Sequence, residues 1–380
     1  MKKSAKQMIA MRTIYSIFKT FVLIFVNIYL WKSGKDIKSV AIFNIFNYIG
    51  ATISFYAANR VAVKNNKYNY IFSSMSFIGL FLLAVILGTD LSKYAIIIGF
   101  LGGFGDGFFF FNLNTFQALE LDKDEIDQFM SMMGVFSKFT NIAAPIITGV
   151  IIELYGFKFM VIILIILVMI QFVLSLMMPS NRIKTVGKIN FNKLKTRKNF
   201  RKILLTHSIR APYSQFTILA NSVFIFTFVG SESIMGMLNS IFSVASIILF
   251  VTYRYMQRFY SKRKLMFIGA IGHSLAMLVL FKASFITFVI YSVAISFGTA
   301  FFSTPLTGIQ VHTAKKYSET QEEMLGNLMS RVIMLTLGRS SFYLLILLFY
   351  KDLNSNIFIV FVLYNMISPL ISYFLVKDEI

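Results

Sequence analysis

Twelve times along its 380 residues the chain runs for about 20 residues with almost no charge, and no other feature restricts the fold so strongly. The runs fall at Met11 to Trp31, Val40 to Ala58, Tyr68 to Gly88, Tyr94 to Gln117, Phe129 to Ile152, Phe159 to Met178, Ile203 to Val229, Ser233 to Tyr253, Leu265 to Phe281, Phe285 to Ile309, Met324 to Tyr350 and Ile357 to Val376. A backbone in hydrocarbon must satisfy its own N–H and C=O groups, and a continuous helix of this length does so while crossing. The expectation is therefore an all-α polytopic membrane protein with twelve transmembrane helices. Lys2, Lys3 and Lys6 ahead of the first run imitate a secretion signal, but no small-residue cleavage site follows, so that run is read as a retained helix.

The formal charge of +21 does not point to nucleic acid, because a soluble basic domain has no use for repeated membrane-length apolar runs. It points to the loops. With the N-terminus inside, the cytoplasmic segments hold 25 of the 37 Lys and Arg residues, an asymmetry that follows from the resistance of these residues to translocation. Both termini are thus expected in the cytoplasm of a multi-pass cell-membrane protein whose constant partner is the bilayer. The absence of cysteine removes disulfides, thiolate metal sites and cysteine nucleophiles.

Between Pro179 and Lys202 the apolar pattern stops, nine basic residues appear with no acid, and the runs divide six and six. Residues 179–202 are read as a cytoplasmic linker that touches anionic headgroups, between six-helix bundles at 1–178 and 203–380. The halves are weakly alike. A slide of 193 residues pairs Gly105 with Gly298, Phe108 and Phe109 with Phe301 and Phe302, Leu113 with Leu306, and Gln117 with Gln310. NRVAVKNNK from Asn59 and QRFYSKRK from Gln257 share an amide-arginine start and a basic finish. Parallel six-helix repeats of this kind belong to one large transporter architecture.

On these features the chain resembles the major facilitator superfamily (MFS) over essentially its full length. The superfamily's loop signature is a Gly, then Asp-Arg, then a Gly and a basic pair; Arg60 and Arg258 match its arginine, while Asn59 and Gln257 replace the aspartate. The resemblance implies a cytoplasmic gate involving Arg60 and Arg258. AAPIITG, with Ala144, Pro145, Thr148 and Gly149, resembles the antiporter signature of the fifth helix and leans toward export. The eleventh run, with Gly338 and Arg339, resembles a little-characterised exporter branch of the superfamily.

Six charges are counted inside the runs: Lys19, Asp106, Lys138, Arg210, Arg331 and Arg339. Each costs about 2.5–3.5 kcal/mol at a helix centre unless water, a partner or a ligand meets it, so all six are expected to face inward. In MFS architecture all six fall on helices that line or wall the central cavity. Five cations against one anion make that cavity basic, and arginine's planar fork suits carboxylate or phosphate. The expected substrate is a small anion-bearing molecule, with Lys19, Asp106, Asn112, Asn114, Lys138, Arg210 and Arg339 as binding or coupling residues. Arg331, nearer the cytoplasm, is read as a gate or snorkelling residue.

GFGDG, around Asp106, has the spacing of a phosphate loop but sits within one apolar run, so its glycines serve close helix approach or flexing instead. Asp106 has two readings: a counter-ion for Lys19, Lys138 or Arg339, or a protonatable carboxylate that couples transport to protons. Two of Phe108 to Phe111 are expected to face the cavity. His207 is expected at a hydrated helix end, His273 on an outer helix and His312 in a loop; the acidic stretch from Leu119 is paired with neighbouring basic loops. No HExxH, no paired carboxylates within a run and no Ser-His pair at plausible spacing occur, so no enzyme, cofactor or metal site is expected. The reading is a monomeric secondary transporter that exports an organic anion or amphiphile in exchange for protons. Uptake of an anionic nutrient is the alternative within transport, and a non-transporting resistance, immunity or sensor protein the alternative outside it.

Overall fold

The structure is a computed structural model that describes the backbone of every residue except 1, 120, 122, 191, 193–195 and 380, and also leaves out the side chains of 118, 119, 123–127, 131, 311, 312, 314 and 315. The acidic stretch from Leu119 and the middle of the linker lie largely outside the described residues.

The described residues form helices and no strand. In chain order these are α1 (Lys3–Phe21), α2 (Asn27–Gly34), α3 (Lys38–Asn65), α4 (Lys67–Leu87), α5 (Ala95–Leu119), α6 (Lys123–Leu176), α7 (Lys198–Leu219), α8 (Ile225–Val229), α9 (Glu232–Met256), α10 (Lys262–Leu278), α11 (Phe285–Gly298), α12 (Thr304–Lys316), α13 (Gln321–Phe349) and α14 (Asn356–Val376). Wide π turns join α1 to α2 at Val22–Val26, α7 to α8 at Ala220–Phe224, and α11 to α12 at Thr299–Ser303.

Nine segments among the described residues are long and apolar enough to cross a membrane. Two of them are double. Segment Lys67–Gln117 contains α4 and α5 with a tight turn over Gly88–Tyr94, and segment Gln128–Leu176 is broken at Gly156, where φ of 84° is open to glycine at no steric cost. The expected seventh run, Ile203 to Val229, is helical but not among the nine, because Arg210 and its Ser, Thr and Asn neighbours dilute its apolar content. His312, expected in a loop, lies on α12, which continues past its apolar run to Lys316 with no Gly or Pro between Gln310 and Lys316.

The chain divides into two compact units, one of residues Met1–Val186 with Ser231–Ser240 and one of Gly187–Gly230 with Ile241–Ile380. In the first unit α5 packs on α3 and α4, and α6 packs on α1 and α4. The α3–α5 contact explains the glycines. A methyl group on Gly103 would overlap the Asn47 carbonyl, and one on Gly107 would overlap that of Ala51. Lipid tails are as apolar as Leu, so helices in a bilayer associate through close packing of this kind and through hydrogen bonds between them. Ser73 and Ser76 of α4 add such bonds, donating to the carbonyls of Gly105 (2.9 Å) and Leu101 (2.7 Å) on α5. Of the two roles open to the glycines, this geometry is close approach.

In the second unit α7 packs on α13 and α14, and α10 packs on α11 and α14. Three cations of the linker region are tied to acids of this unit: Lys188 to Glu322 (3.4 Å), Arg197 to Glu319 (2.7 Å) and Lys202 to Asp378 (3.6 Å). These cations therefore have protein counter-ions as well as any headgroup they meet.

Candidate functional site

The residues singled out in the sequence collect in two places, one in each unit. The first is built on α1 and α5. Arg12, Tyr15 and Lys19 recur at three and four residues along α1 and so share one face. Asp106 meets that face from α5. Lys19 Nζ lies 2.5 Å from Asp106 Oδ2, and the Tyr15 hydroxyl donates to Asp106 Oδ1 at 2.7 Å. Both carboxylate oxygens are thus occupied by charge or hydrogen bond in a site where Asp106 is 5% exposed. Of the three counter-ions considered for Asp106, this geometry holds Lys19.

Tyr15 is held by its ring as well as its hydroxyl. It stacks on Phe109 with centroids 4.2 Å apart and planes 4° apart, while the Arg12 guanidinium lies 5.0 Å from its ring centre and 5.9 Å from that of Phe110. Phe108, Phe109 and Phe111 are buried, packing on Phe72, Tyr15 and Phe55 respectively; only Phe110 is half-buried. Neither Tyr15 nor Arg12 stands out in the sequence, where Arg12 counts among the N-terminal cations. Their spacing from Lys19 is the signal that finds them.

The second place is a cavity of about 190 Å³ within the second unit. From α7 come His207, Arg210, Ala211 and Ser214, a stripe at three and four residues; from α12 come Thr307 and Gln310; from α13 come Arg331, Leu335 and Arg339. The two α13 arginines are eight residues apart, two helical turns and a little more, so both remain on the face that Leu335 shares. Arg331, expected apart from Arg339 near a gate, therefore lines the same space as Arg339 and Arg210. His207, expected to be hydrated, is 3% exposed.

The neutral polar groups of this cavity are largely spent on the scaffold. Thr307 Oγ1 accepts from Arg210 Nη1 at 2.8 Å and donates to the Ser303 carbonyl. Ser214 Oγ donates to the Ala211 carbonyl, and Gln310 Nε2 donates to Thr206 Oγ1 at 2.8 Å. Arg331 Nε has no hydrogen-bond acceptor among the described residues. No Asp or Glu is among the described lining residues.

The other sequence candidates are elsewhere. Asn112 on α5 is fully buried, with neither amide atom hydrogen-bonded among the described residues, whereas Asn114 donates to the Phe110 carbonyl of its own helix at 2.7 Å. Lys138 on α6 is exposed between exposed Phe136 and Phe139. Arg60 and Arg258 are exposed, Arg60 folded over Tyr56 of its own helix at 5.0 Å and Arg258, in the turn after α9, folded back over Tyr255 at 5.9 Å. His273 is buried edge-on to Tyr213 with centroids 4.0 Å apart, away from the cavity lining. Among the described residues no cluster of His, Asp and Glu could hold a metal ion.

No protein-family model matches the chain. It is 26% identical over 371 residues to "Uncharacterized protein YqgE" of Bacillus subtilis, covering 93% of this chain and 84% of that protein. It is 32% identical over 138 residues to "Uncharacterized protein in sodM 3'region" of Geobacillus stearothermophilus, covering 35% of this chain and 64% of that protein. Among solved structures it is similar to the POT family transporter PepTSo (TM-score 0.75, 11% identity, 100% of this chain and 98% of that one) and to the nucleoside transporter NupG (0.67, 13%, 99% of each). A D-xylose-proton symporter is similar at 0.68, with 13% identity over 97% of this chain and 95% of that one. The helices, their order and these likenesses over nearly the whole length lead to one conclusion: the chain has the fold of the MFS-type transporters.

Proposed function

We propose that the chain is a secondary active transporter that carries a small anion-bearing molecule across the membrane by alternating access. The single observation behind this reading is the cavity lined by Arg210, Arg331 and Arg339 with no carboxylate among its described lining residues. Like charges gathered in a low-dielectric space repel, and the arrangement persists most readily where a ligand of opposite sign completes it. A neutral polyol fits such a lining poorly. Its hydroxyls need acceptors, and the Thr307 and Ser214 oxygens already accept from Arg210 and Gln215.

Twelve crossings with both termini in the cytoplasm complete the reading, following the run lengths and the lysine and arginine distribution. Export in exchange for protons is the proposed direction. The direction is supported by the Ala144, Pro145, Thr148 and Gly149 resemblance, and the coupling by the D-xylose-proton symporter of similar fold. Asp106 is the proposed coupling carboxylate, with Lys19 as the partner that trades places with a proton; Arg60 and Arg258 are the proposed gate residues, and Asn112, Asn114 and Lys138 the remaining contacts on the transport path. The chain carries out no covalent chemistry in this scheme.

The test is transport by purified protein in proteoliposomes loaded with a mixture of radiolabelled organic anions, with and without an imposed pH gradient. Efflux accelerated by inward proton flow, and lost in Arg339→Gln, supports the reading. Accumulation driven by the same gradient reverses the direction to uptake. Unchanged leakage across every anion tested, in wild type and variant alike, overturns transport and leaves a non-transporting role.

A further inference from the structure

Size and charge together narrow the ligand of the arginine cavity. A volume of about 190 Å³ is below the range of roughly 300–1,000 Å³ typical of sites for drug-sized molecules. It equals about six water volumes at roughly 30 Å³ each. Among the described residues the lining offers little to an apolar tail: Ala211 and Leu335 are the only aliphatic side chains there, and no Phe, Tyr, Trp or Met is present. The charge is equally specific. One carboxylate among three guanidinium groups leaves a surplus of two, while two negative charges leave one. The pair Arg331 and Arg339 approaches from α13 and Arg210 from α7, so a ligand with several charged oxygens can meet forks from two directions.

We infer that the cavity takes a compact dianion, of phosphate monoester or dicarboxylate type, and not an amphiphile. The inference rests on the reading of this cavity as the anion site. Arg210 has a special place in it. Its Nη1 is fixed by Thr307, so its remaining N–H groups are presented in a set orientation, as bidentate recognition requires.

The experiment is a thermal-shift titration of the purified full-length protein in detergent at about pH 8, where both test dianions are fully ionised. The probes are methyl phosphate, succinate, acetate and decanoate. The expected result is stabilisation by methyl phosphate or succinate at concentrations about tenfold or more below those needed for acetate, with no added gain from the decanoate tail. Whichever dianion acts at the lower concentration identifies the headgroup type. Arg210→Gln, Arg331→Gln and Arg339→Gln should each raise the effective dianion concentration about tenfold or more. The wild-type ranking needs no variant to fold. Decanoate acting below both dianions overturns the compact-dianion inference while leaving an anion transporter standing. Equal response to acetate and succinate also overturns it. No response to any of the four removes the anion reading itself.

Discussion

Lys19 and Asp106 are 87 positions apart in sequence and joined at 2.5 Å, with the lysine side chain 19% and the aspartate side chain 7% exposed. Removing one partner of a buried pair leaves the other charged and uncompensated, which typically costs about 3–5 kcal/mol, whereas removing both costs far less. Lys19→Gln and Asp106→Asn are each expected to lower the thermal unfolding midpoint markedly, and the double variant to recover most of the loss. A double-mutant cycle by thermal denaturation in detergent checks this, and strict additivity of the two effects would show that the contact carries no coupling.

Gly103 is the tightest point of the α3–α5 contact. Gly103→Ala forces apart two helix backbones, with an expected loss of about 1–3 kcal/mol. Gly79 on α4 has nothing within 4 Å of where a methyl group would sit, so Gly79→Ala serves as the matched control. Equal unfolding midpoints for the two variants would rule out the close-approach account.

Thr307 holds Arg210 without contributing charge. Thr307→Val keeps the side-chain shape and all three guanidinium groups but removes a hydrogen bond to a charged donor, worth about 1.5–3 kcal/mol. Anion affinity measured by the same thermal-shift titration should fall by about tenfold, with the salt dependence of binding unchanged. Affinity equal to wild type would mean that Arg210 is oriented by something else.

Beyond the crossing helices, Lys316 Nζ bonds Glu379 Oε2 at 2.8 Å, and this bond raises the lysine above its ordinary pKa. A cation stabilised in this way favours the folded state below its unfolded pKa, and the contribution disappears as pH rises through the folded value. Hydrogen exchange at residues 377–379, taken relative to its base-catalysed intrinsic rate, should therefore be slow at neutral pH and speed up only in the alkaline lysine range. In Lys316→Gln it should be fast across the whole range; a profile identical to wild type would refute the tie.

The crossing helices are legible in the sequence because membrane-length apolar runs leave a backbone few options. Asp106 is legible for the related reason that a carboxylate in such a run demands a partner, and Lys19 is among the three that the sequence offers. Arg12 and Tyr15 are hidden for different causes. Arg12 is absorbed into a count of loop charges, although α1 begins at Lys3 and carries it on the Lys19 face. Tyr15 looks like ordinary apolar bulk, and only its contact with Asp106 makes the hydroxyl matter. The arginine cavity is half visible. Arg210 and Arg339 stand out together, but Arg331 is set apart by its position along the helix, and the contributions of Ser214, Thr307 and Gln310 depend on three helices meeting in space.

Asp106 sits one residue before Gly107, on a stretch of α5 whose backbone is seated directly against α3. Local rearrangement there is therefore sterically blocked. Any displacement that carries the Asp106 backbone away from Lys19 takes α3 along with it, so the two helices act as one strut.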